Sequence, residues 1–270
     1  MEIFEPVFID VTVPDQVLLR TDPLLPSASK PYLPACHPND TDAIWYCGHA
    51  PAMTFDNHGA ILIWQPENNL GGPARQADPN TGQARLGETG GVVYHREING
   101  GFVIDSAIVD AEKFCCALRV KSDQGQARTL LTVNPDQHGN YLFASEKDGI
   151  LEWRDDGGTV SVSVPSPGGE FWVVLGYDCG RLRISTAKSG DVFPPPRSST
   201  DQADDLALAL GGANDLFIGC RSHRKGILKT LGASTIRDVL IWLDHDGGGA
   251  VDQSKITQAC RFVESGGDRA

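Results

Sequence analysis

The chain is short of positive charge and of long apolar runs. It has 23 Lys and Arg against 35 Asp and Glu, which gives a formal net charge of −12 at pH 7. This balance argues against electrostatic attraction to nucleic acid or to an anionic membrane surface. No run approaches the roughly 20 apolar residues of a membrane span. The start, MEIFEPVFIDVTVPD, lacks the basic and apolar regions of a secretory signal. We therefore expect synthesis in the cytoplasm and neither nucleic acid nor membrane as a partner.

The cysteines do not form a recognisable framework. They lie at positions 36, 47, 115, 116, 179, 220 and 260. An odd count without a C-x-x-C pair argues against a disulfide scaffold. Possible zinc ligands crowd one Pro-rich segment: Cys36, His37, Cys47, His49 and His58. Their spacing does not form the paired knuckle of a structural zinc site, so the sequence favours ordinary loop residues here.

Glycine and proline are abundant, with 30 and 17 copies, and 40% of the residues are hydrophobic. This composition favours many turns around a real core. From about residue 92 the chain alternates short apolar runs with Gly, Asp and Asn turns, which predicts an all-β antiparallel sandwich or barrel. After Asp252, a possible N-cap, Ile256, Cys260 and Val263 recur at helical spacing and predict a short C-terminal helix.

The first third of the chain differs from the rest. Residues 1–91 are irregular and rich in Pro, Gly, Asn and Asp, and residues 66–91 are typical of a long loop or linker. The sequence therefore predicts an N-terminal arm over 1–91 and a β-sandwich over 92–270. The arm would dock the sandwich onto a larger protein assembly.

Three stretches carry a resemblance to a known family. They are FCCALRVKSDQGQARTLLTV (114–133), GNYLFASEKDGILEWRDDGGTVSVSV (139–164) and GEFWVVLGYDCGRLRIS (169–185). Their order resembles the concanavalin A-like lectin/glucanase superfamily in its laminin G-like form, over about residues 92–265. The resemblance implies an antiparallel jelly-roll β-sandwich with a short helix after the last strand. It does not select a function, because the fold serves lectins, hydrolases, lyases and adhesion domains.

Catalysis in the glucanases of this superfamily uses carboxylates at alternate positions of one strand. The nearest match is EKDGILE, with Glu146, Asp148 and Glu152. Lys147-Asp148-Gly149 is a strong turn signal, however, and would send Glu146 and Glu152 onto different strands. Catalysis is therefore not supported. If the protein is an enzyme, Glu146 and Glu152 are the candidate catalytic residues.

The acidic loop DHDGGGAVDQSK (244–255) partly follows a calcium-binding loop. Asp244 and Asp246 stand at ligand positions, but Gly248 and Lys255 occupy two positions that require oxygen ligands. The sequence favours a Gly-rich loop that leads into the helix, and we expect no cofactor. Asp244 and Asp246 remain the candidates for a calcium site.

Sugar binding needs aromatic faces and polar side chains at strand ends or in loops. The sequence offers one such group at the end of a strand and another in a basic loop. The candidate ligand-binding residues are Trp153, Arg154, Asp155, Asp156, Arg221, His223 and Arg224. The alternative is a core position for the tryptophan and a solvated turn for the basic loop.

Two functions are compatible with these observations. The first is a non-catalytic, lectin-like protein that binds a carbohydrate or a receptor. It could serve as an attachment or spike component of a released, phage-like particle that recognises surface polysaccharide, and it could form a homo-oligomer. The alternative is a polysaccharide hydrolase or lyase. The sequence identifies neither the glycan nor the docking partner.

Overall fold

The computed structural model describes residues 37–68, 70–78, 84–98, 100–110, 112–123, 125–136, 139–222 and 232–266. Within these ranges the chain forms two antiparallel sheets and two α-helices, α1 (Asp204–Ala209) and α2 (Ala250–Glu264). The predicted all-β sandwich with a C-terminal helix is confirmed. In the described ranges, neither helix has the length and apolar character that crossing a membrane requires.

Sheet A contains eight of the described strands. They are β1 (Ile44–Cys47), β5 (Arg85–Leu86), β6 (Val92–Tyr94), β8 (Lys113–Ser122), β13 (Gly169–Asp178), β14 (Arg181–Lys188), β15 (Arg197–Ser198) and β17 (Ser234–Leu243). Their spatial order is β15-β14-β13-β8-β17-β6-β5, and β1 also pairs with β17.

Sheet B contains nine of the described strands. They are β2 (Met53–Phe55), β3 (Ile61–Trp64), β4 (Ala74–Gln76), β7 (Phe102–Val109), β9 (Arg128–Pro135), β10 (Leu142–Lys147), β11 (Ile150–Asp155), β12 (Ser161–Pro165) and β16 (Ala213–Ile218). Their order is β12-β11-β10-β9-β16-β7-β4-β3-β2.

The described part of the predicted N-terminal arm belongs to the sandwich. Strand β1 pairs with β17, strand β5 pairs with β6, and β2, β3 and β4 extend sheet B from β7. The predicted boundary at residue 92 is corrected accordingly, as is the loop predicted over 66–91. These strands are short and interrupted by Pro and Gly, so they lack the longer alternation that reveals a strand in a sequence. Residues 1–36 of the predicted arm lie outside the described residues.

The central strand β13 of sheet A is buried on both faces. Phe171, Val173 and Leu175 of β13 face the core between the sheets, whereas Trp172 and Val174 face helix α2. The indole Nε1 of Trp172 donates to a carboxylate oxygen of Glu264 at 2.7 Å. Burial on both faces explains the uninterrupted apolar run in β13, because neither set of alternating side chains meets water.

The turns follow from residues that accept a left-handed backbone. Cys179 and Gly180 have φ values of 45° and 88° and join β13 to β14 as a tight hairpin, as the sequence predicts. The prediction that Asp252 is the N-cap of the C-terminal helix is wrong. Gly249 is the N-cap of α2, and Asp252 lies in the first turn. There Asp252 pairs with His245, at 3.0 Å between Oδ1 and Nδ1. The apolar helix positions 256, 260 and 263 are buried as predicted.

Candidate functional site

A groove crosses the outer face of sheet B over strands β9, β10 and β11. Successive side chains of a strand point to opposite faces. Leu142, Ala144 and Trp153 therefore pack in the core, while Phe143 and Arg154, paired across β10 and β11, face outward. The groove encloses about 180 Å³. This is smaller than the roughly 300–1,000 Å³ of pockets that enclose a whole drug-sized ligand. It fits one ring or charged group of a chain that passes over the surface.

A β-bulge aims the side chains at one end of the groove. The register between β9 and β10 shifts where Ala144 faces Leu131 and Ser145 faces Thr129. Leu130 and Leu131 consequently both pack in the core. Without the shift, Thr129 would point inward like Leu131; with it, Thr129 lines the groove. Bulges commonly serve to re-aim side chains beside functional sites.

Two arginines are held at the aromatic ring of Phe143. The guanidinium carbon of Arg221 lies 3.8 Å from the ring centroid, and that of Arg154 lies 5.6 Å from it. The hydroxyl of Tyr141 interacts with both Arg221 and Asp156. Burial, followed by the Asp156 contact, raises the pKa of Tyr141. Cation–π contact holds both guanidinium groups at the ring. Phe143 itself is only 5% exposed, so a sugar cannot stack on it.

The groove has an excess of positive charge in an acidic protein. Arg128, Lys147, Arg154 and Arg221 line it, against Glu146 and Glu152. Arg154 Nη1 lies 3.9 Å from Glu152 Oε2, and Arg154 Nε donates to the Asp155 carbonyl at 3.1 Å. A cluster of guanidinium groups is suited to planar anions, which they bind through paired hydrogen bonds.

Two buried polar atoms at the groove have no hydrogen-bond partner within the described part of the chain. They are Oγ1 of Thr129 and Nε of Arg221. Thr129 is only 3% exposed and lines the groove. Buried polar atoms are usually paired because an unpaired one costs free energy. A polar ligand in the groove could satisfy both atoms.

The two candidate catalytic carboxylates lie on different strands. Asp148 and Gly149, with φ values of 52° and 74°, form the turn between β10 and β11, which confirms the predicted turn. Glu146 is fully buried at one end of the groove and accepts hydrogen bonds from Ser122 Oγ, Ser166 Oγ and the Ala127 amide. These three donors anchor the carboxylate to the protein. Glu152 is 36% exposed on the outer face.

Two of the predicted ligand-binding residues are structural, and these predictions are corrected. Trp153 is fully buried between the sheets, where its Nε1 donates to the Gly176 carbonyl at 3.1 Å. Asp155 is also fully buried, and its carboxylate accepts from the Val160 amide and from Asn140. The pleat explains both positions, because residues 153 and 155 share the inward face of β11.

The structure brings together three other predicted residues. Arg154 and Arg221 line the groove, and Asp156 lies at its rim through Tyr141. His223 and Arg224 lie outside the described residues. Sequence reasoning missed Arg128, Thr129 and Phe143. The alternation of NYLFAS placed Phe143 opposite the core positions, but a single outward Phe is not a signal for a site. The bulge that positions Thr129 has no signature in the sequence.

The acidic loop does not gather calcium ligands. Asp246 accepts from Arg183 Nη1 at 2.5 Å and from the Gly248 amide at 2.7 Å, so its carboxylate is already neutralised. Burial favours a higher pKa for Asp246, but the Gly248 amide and the Arg183 charge outweigh it and lower the pKa below its usual value. Asp244 is exposed.

The pair of Arg183 and Asp246 makes stability depend on pH. A lowered pKa in the folded state means that the pair contributes fully above the carboxyl's ordinary pKa and is lost as the pH falls through the folded value. We expect Asp246→Asn to lower the free energy of unfolding by about 1–2 kcal/mol at pH 7 and by less at about pH 2, where the carboxyl is closer to its folded-state pKa. Urea unfolding at both pH values measures this. Asp244→Asn, at the exposed neighbour, serves as the control, and an equal loss at both pH values would contradict the assignment.

The predicted zinc candidates are dispersed except for two. His37 packs its ring against Phe262, at 4.7 Å between centroids, and its Nδ1 accepts from the Asn39 amide. His58 is exposed in the turn before β3. Cys36 lies outside the described residues. Cys47 and His49 remain close to each other, on either side of Gly48.

Comparison with known proteins gives structural matches only. No protein-family model and no curated protein sequence matches the chain. An arabinofuranosidase complexed with arabinofuranosyl-alpha-1,2-xylobiose matches 75% of this chain and 51% of its own, with 8% identity and a TM-score of 0.52. The receptor-binding domain of a botulinum neurotoxin, mosaic serotype C/D, matches 84% and 51%, with 10% identity and a TM-score of 0.50. Mouse laminin alpha1 domains LG4-5 match 54% and 39%, with 15% identity and a TM-score of 0.37.

These matches concern the fold. The protein is a two-layer antiparallel β-sandwich, a fold that it shares with the matched parts of the arabinofuranosidase and of the toxin domain. The two-sheet antiparallel architecture with a C-terminal helix agrees with the fold that the sequence resemblance implies. The chain spans about half the length of the arabinofuranosidase and of the toxin domain.

Proposed function

We propose that this protein is a non-catalytic glycan-binding module that holds an acidic sugar in the groove of sheet B. The observation that carries the proposal is the pair of guanidinium groups fixed at Phe143, beside the unpartnered Thr129 hydroxyl. The fold is compatible with this function but does not select it.

An acidic glycan fits the groove better than a neutral one. The aromatic surface that would stack on a neutral pyranose is buried, because Phe143 is only 5% exposed. Guanidinium groups instead present parallel N–H donors that match a carboxylate or a sulfate. Glu152, at the edge of the groove, can accept hydrogen bonds from sugar hydroxyls.

A hydrolase or lyase is not favoured by the same geometry. The carboxylate of Glu146 is enclosed by three protein donors, and Glu152 approaches Arg154. A glycosidase needs one carboxyl to donate a proton and a second to act on the substrate. The predicted roles as an attachment component and in homo-oligomers, and the docking role of the N-terminal segment, stay predictions from the sequence.

Removal of the two ring-bound arginines is expected to abolish tight binding. Arg154→Ala and Arg221→Ala should each weaken binding of a uronate or sulfated polysaccharide by about 10–100-fold, since each removes charge-assisted hydrogen bonds. Calorimetric titration with an acidic polysaccharide, and with a neutral glucan for comparison, measures the effect. Added salt should weaken the binding, because the groove is open to solvent.

Arg75→Ala supplies the matched control. Arg75 is exposed on sheet B and pairs with Asp105, at 2.6 Å from Nε to Oδ2, outside the groove. Its loss changes the net charge by the same amount and should leave the dissociation constant within about twofold. Equal weakening by Arg75→Ala would show that only net charge matters. Equal affinity for the neutral glucan would contradict the acidic specificity.

A further inference from the structure

Three side chains with different ligand chemistry meet beside the end of strand β1. The Cys47 thiol, an imidazole nitrogen of His49 and a carboxylate oxygen of Glu67 all lie within 4.8 Å of one another. His49 Nε2 and Glu67 Oε1 are in direct contact. Among the residues that the structure describes, this is the one group of three or more such donors that could hold a metal ion. We propose that these three residues form a zinc site.

The backbone that carries Cys47 and His49 is fixed. The Gly48 amide donates to the Arg237 carbonyl, and the Gly91 amide donates to the Gly48 carbonyl, each at 2.6 Å. A Cβ at Gly48 would lie 2.3 Å from the Arg237 carbonyl oxygen, so only glycine permits this close approach. The His49 amide donates to the Cys47 carbonyl at 2.9 Å. Cys47 and His49 are therefore presented from a clamped turn.

The third ligand is also held in place by its backbone. The Glu67 amide donates to the Trp45 carbonyl of β1 at 2.7 Å. The neighbouring Asn68 is buried and donates to the Ala43 carbonyl at 2.6 Å. These contacts keep residues 67 and 68 beside β1, so that the carboxylate reaches the same point as the imidazole. Ordered backbone at all three positions lowers the entropy lost when a metal binds.

The donor set selects the metal. Calcium and magnesium prefer oxygen ligands, whereas thiolate and imidazole favour zinc and its neighbours among the transition metals. Ligands around tetrahedral zinc, with bonds of about 2.0–2.3 Å, lie roughly 3.3–3.7 Å apart. The side chains of His49 and Glu67 are 23% and 29% exposed, so small rotations can bring them to this spacing.

Charge and exposure agree with this assignment. A thiolate and a carboxylate balance the two charges of zinc, and His49 binds as the neutral imidazole. On binding, the Cys47 thiol transfers its proton to solvent, so affinity should rise with pH. Cys47 is only 1% exposed, while the other two ligands lie on the solvent side. Water can therefore complete the coordination as a fourth ligand, as in sites with three protein ligands.

Metal titration of the full chain, first stripped with a chelator, tests the proposal. Calorimetry should show one zinc ion per chain, and cobalt(II) should give a thiolate charge-transfer absorption with a tetrahedral visible spectrum. Cys47→Ser should remove the charge-transfer band. His49→Gln and Glu67→Gln should each weaken zinc binding at least about tenfold. Loss of a residue that only supports a metal ligand already weakens binding by about 10–100-fold, and loss of a ligand itself should cost no less. Both lie at partly exposed positions, so they test the site even if Cys47→Ser unfolds.

Two variants provide matched controls. Cys179→Ser removes an exposed thiol, and His58→Gln removes an exposed imidazole, both outside the cluster. Each should bind zinc with the affinity of the unchanged chain. The proposal is overturned if the unchanged chain binds no stoichiometric zinc, or if His49→Gln and Glu67→Gln bind it as tightly as the controls. The groove variants Arg154→Ala and Arg221→Ala should not change zinc affinity, which separates this site from glycan binding.

Discussion

Glu146→Ala is expected to lower the free energy of unfolding by about 3–5 kcal/mol, because each buried donor left unpaired costs about 1–3 kcal/mol. The carboxylate accepts from Ser122 at the end of β8, from Ala127 just before β9, and from Ser166 after β12. The Glu146 carboxylate therefore connects the end of β8 in sheet A with the start of β9 and the end of β12 in sheet B. Without it, these three donors lose their acceptor.

Urea unfolding measures this loss, and Glu152→Ala is the matched control. Glu152 lies on β11, directly across from Ser145 of β10, and its side chain is 36% exposed. Its removal should lower the free energy of unfolding by less than about 0.5–1 kcal/mol. Glu146→Gln should fall between the two, because it keeps one acceptor oxygen and adds a donor. A Glu146→Ala variant as stable as Glu152→Ala would show that the three hydrogen bonds contribute nothing.

Trp153→Ala should cost about 3–5 kcal/mol, the range for removing a large aromatic side chain from a packed core. The indole is fully buried between the sheets, and its N–H donates to Gly176 on β13. The substitution removes both the packing and the hydrogen bond between sheet B and sheet A. The groove should survive in the folded fraction, since the ring does not reach it.

Trp153→Phe separates the two contributions. It keeps most of the ring but leaves the Gly176 carbonyl without its donor, and we expect a loss of about 1–3 kcal/mol. Chemical denaturation of both variants gives the comparison. If Trp153→Ala weakened acidic-polysaccharide binding at full stability, Trp153 would be a ligand-binding residue, as the sequence alone suggested, and its assignment to the core would be contradicted.

The sheets could be predicted where strands are long and their turn residues specific. The hairpin at Cys179-Gly180 and the turn at Asp148-Gly149 each contain a glycine, which accepts the positive φ of the turn. The strands before residue 92 could not be predicted, because β2 and β4 have three residues each and β5 has two. Their pairing depends on distant partners, which local alternation does not report.

The groove could be predicted only in part, for a physical reason. Arg154 was predicted at the end of a strand and Arg221 in a basic loop, but their common position at Phe143 depends on sheet pairing across about 70 residues of sequence. The alternation of side chains along β11 could have assigned Trp153 and Arg154 to opposite faces of the sheet, since adjacent strand residues point to opposite sides. The cluster of Cys47, His49 and Glu67 lacks a sequence signature, because Glu67 reaches it through a backbone contact with β1.

Strand β17 has a consequence for biosynthesis. It is the last strand of the described chain, yet it lies in the middle of sheet A, with β8 on one side and β1 and β6 on the other. Until residues 234–243 have left the ribosome, those neighbours expose unpaired strand edges. Such edges favour aggregation during slow folding of sheets with distant pairings. We therefore expect the nascent chain to be most prone to aggregation before strand β17 inserts.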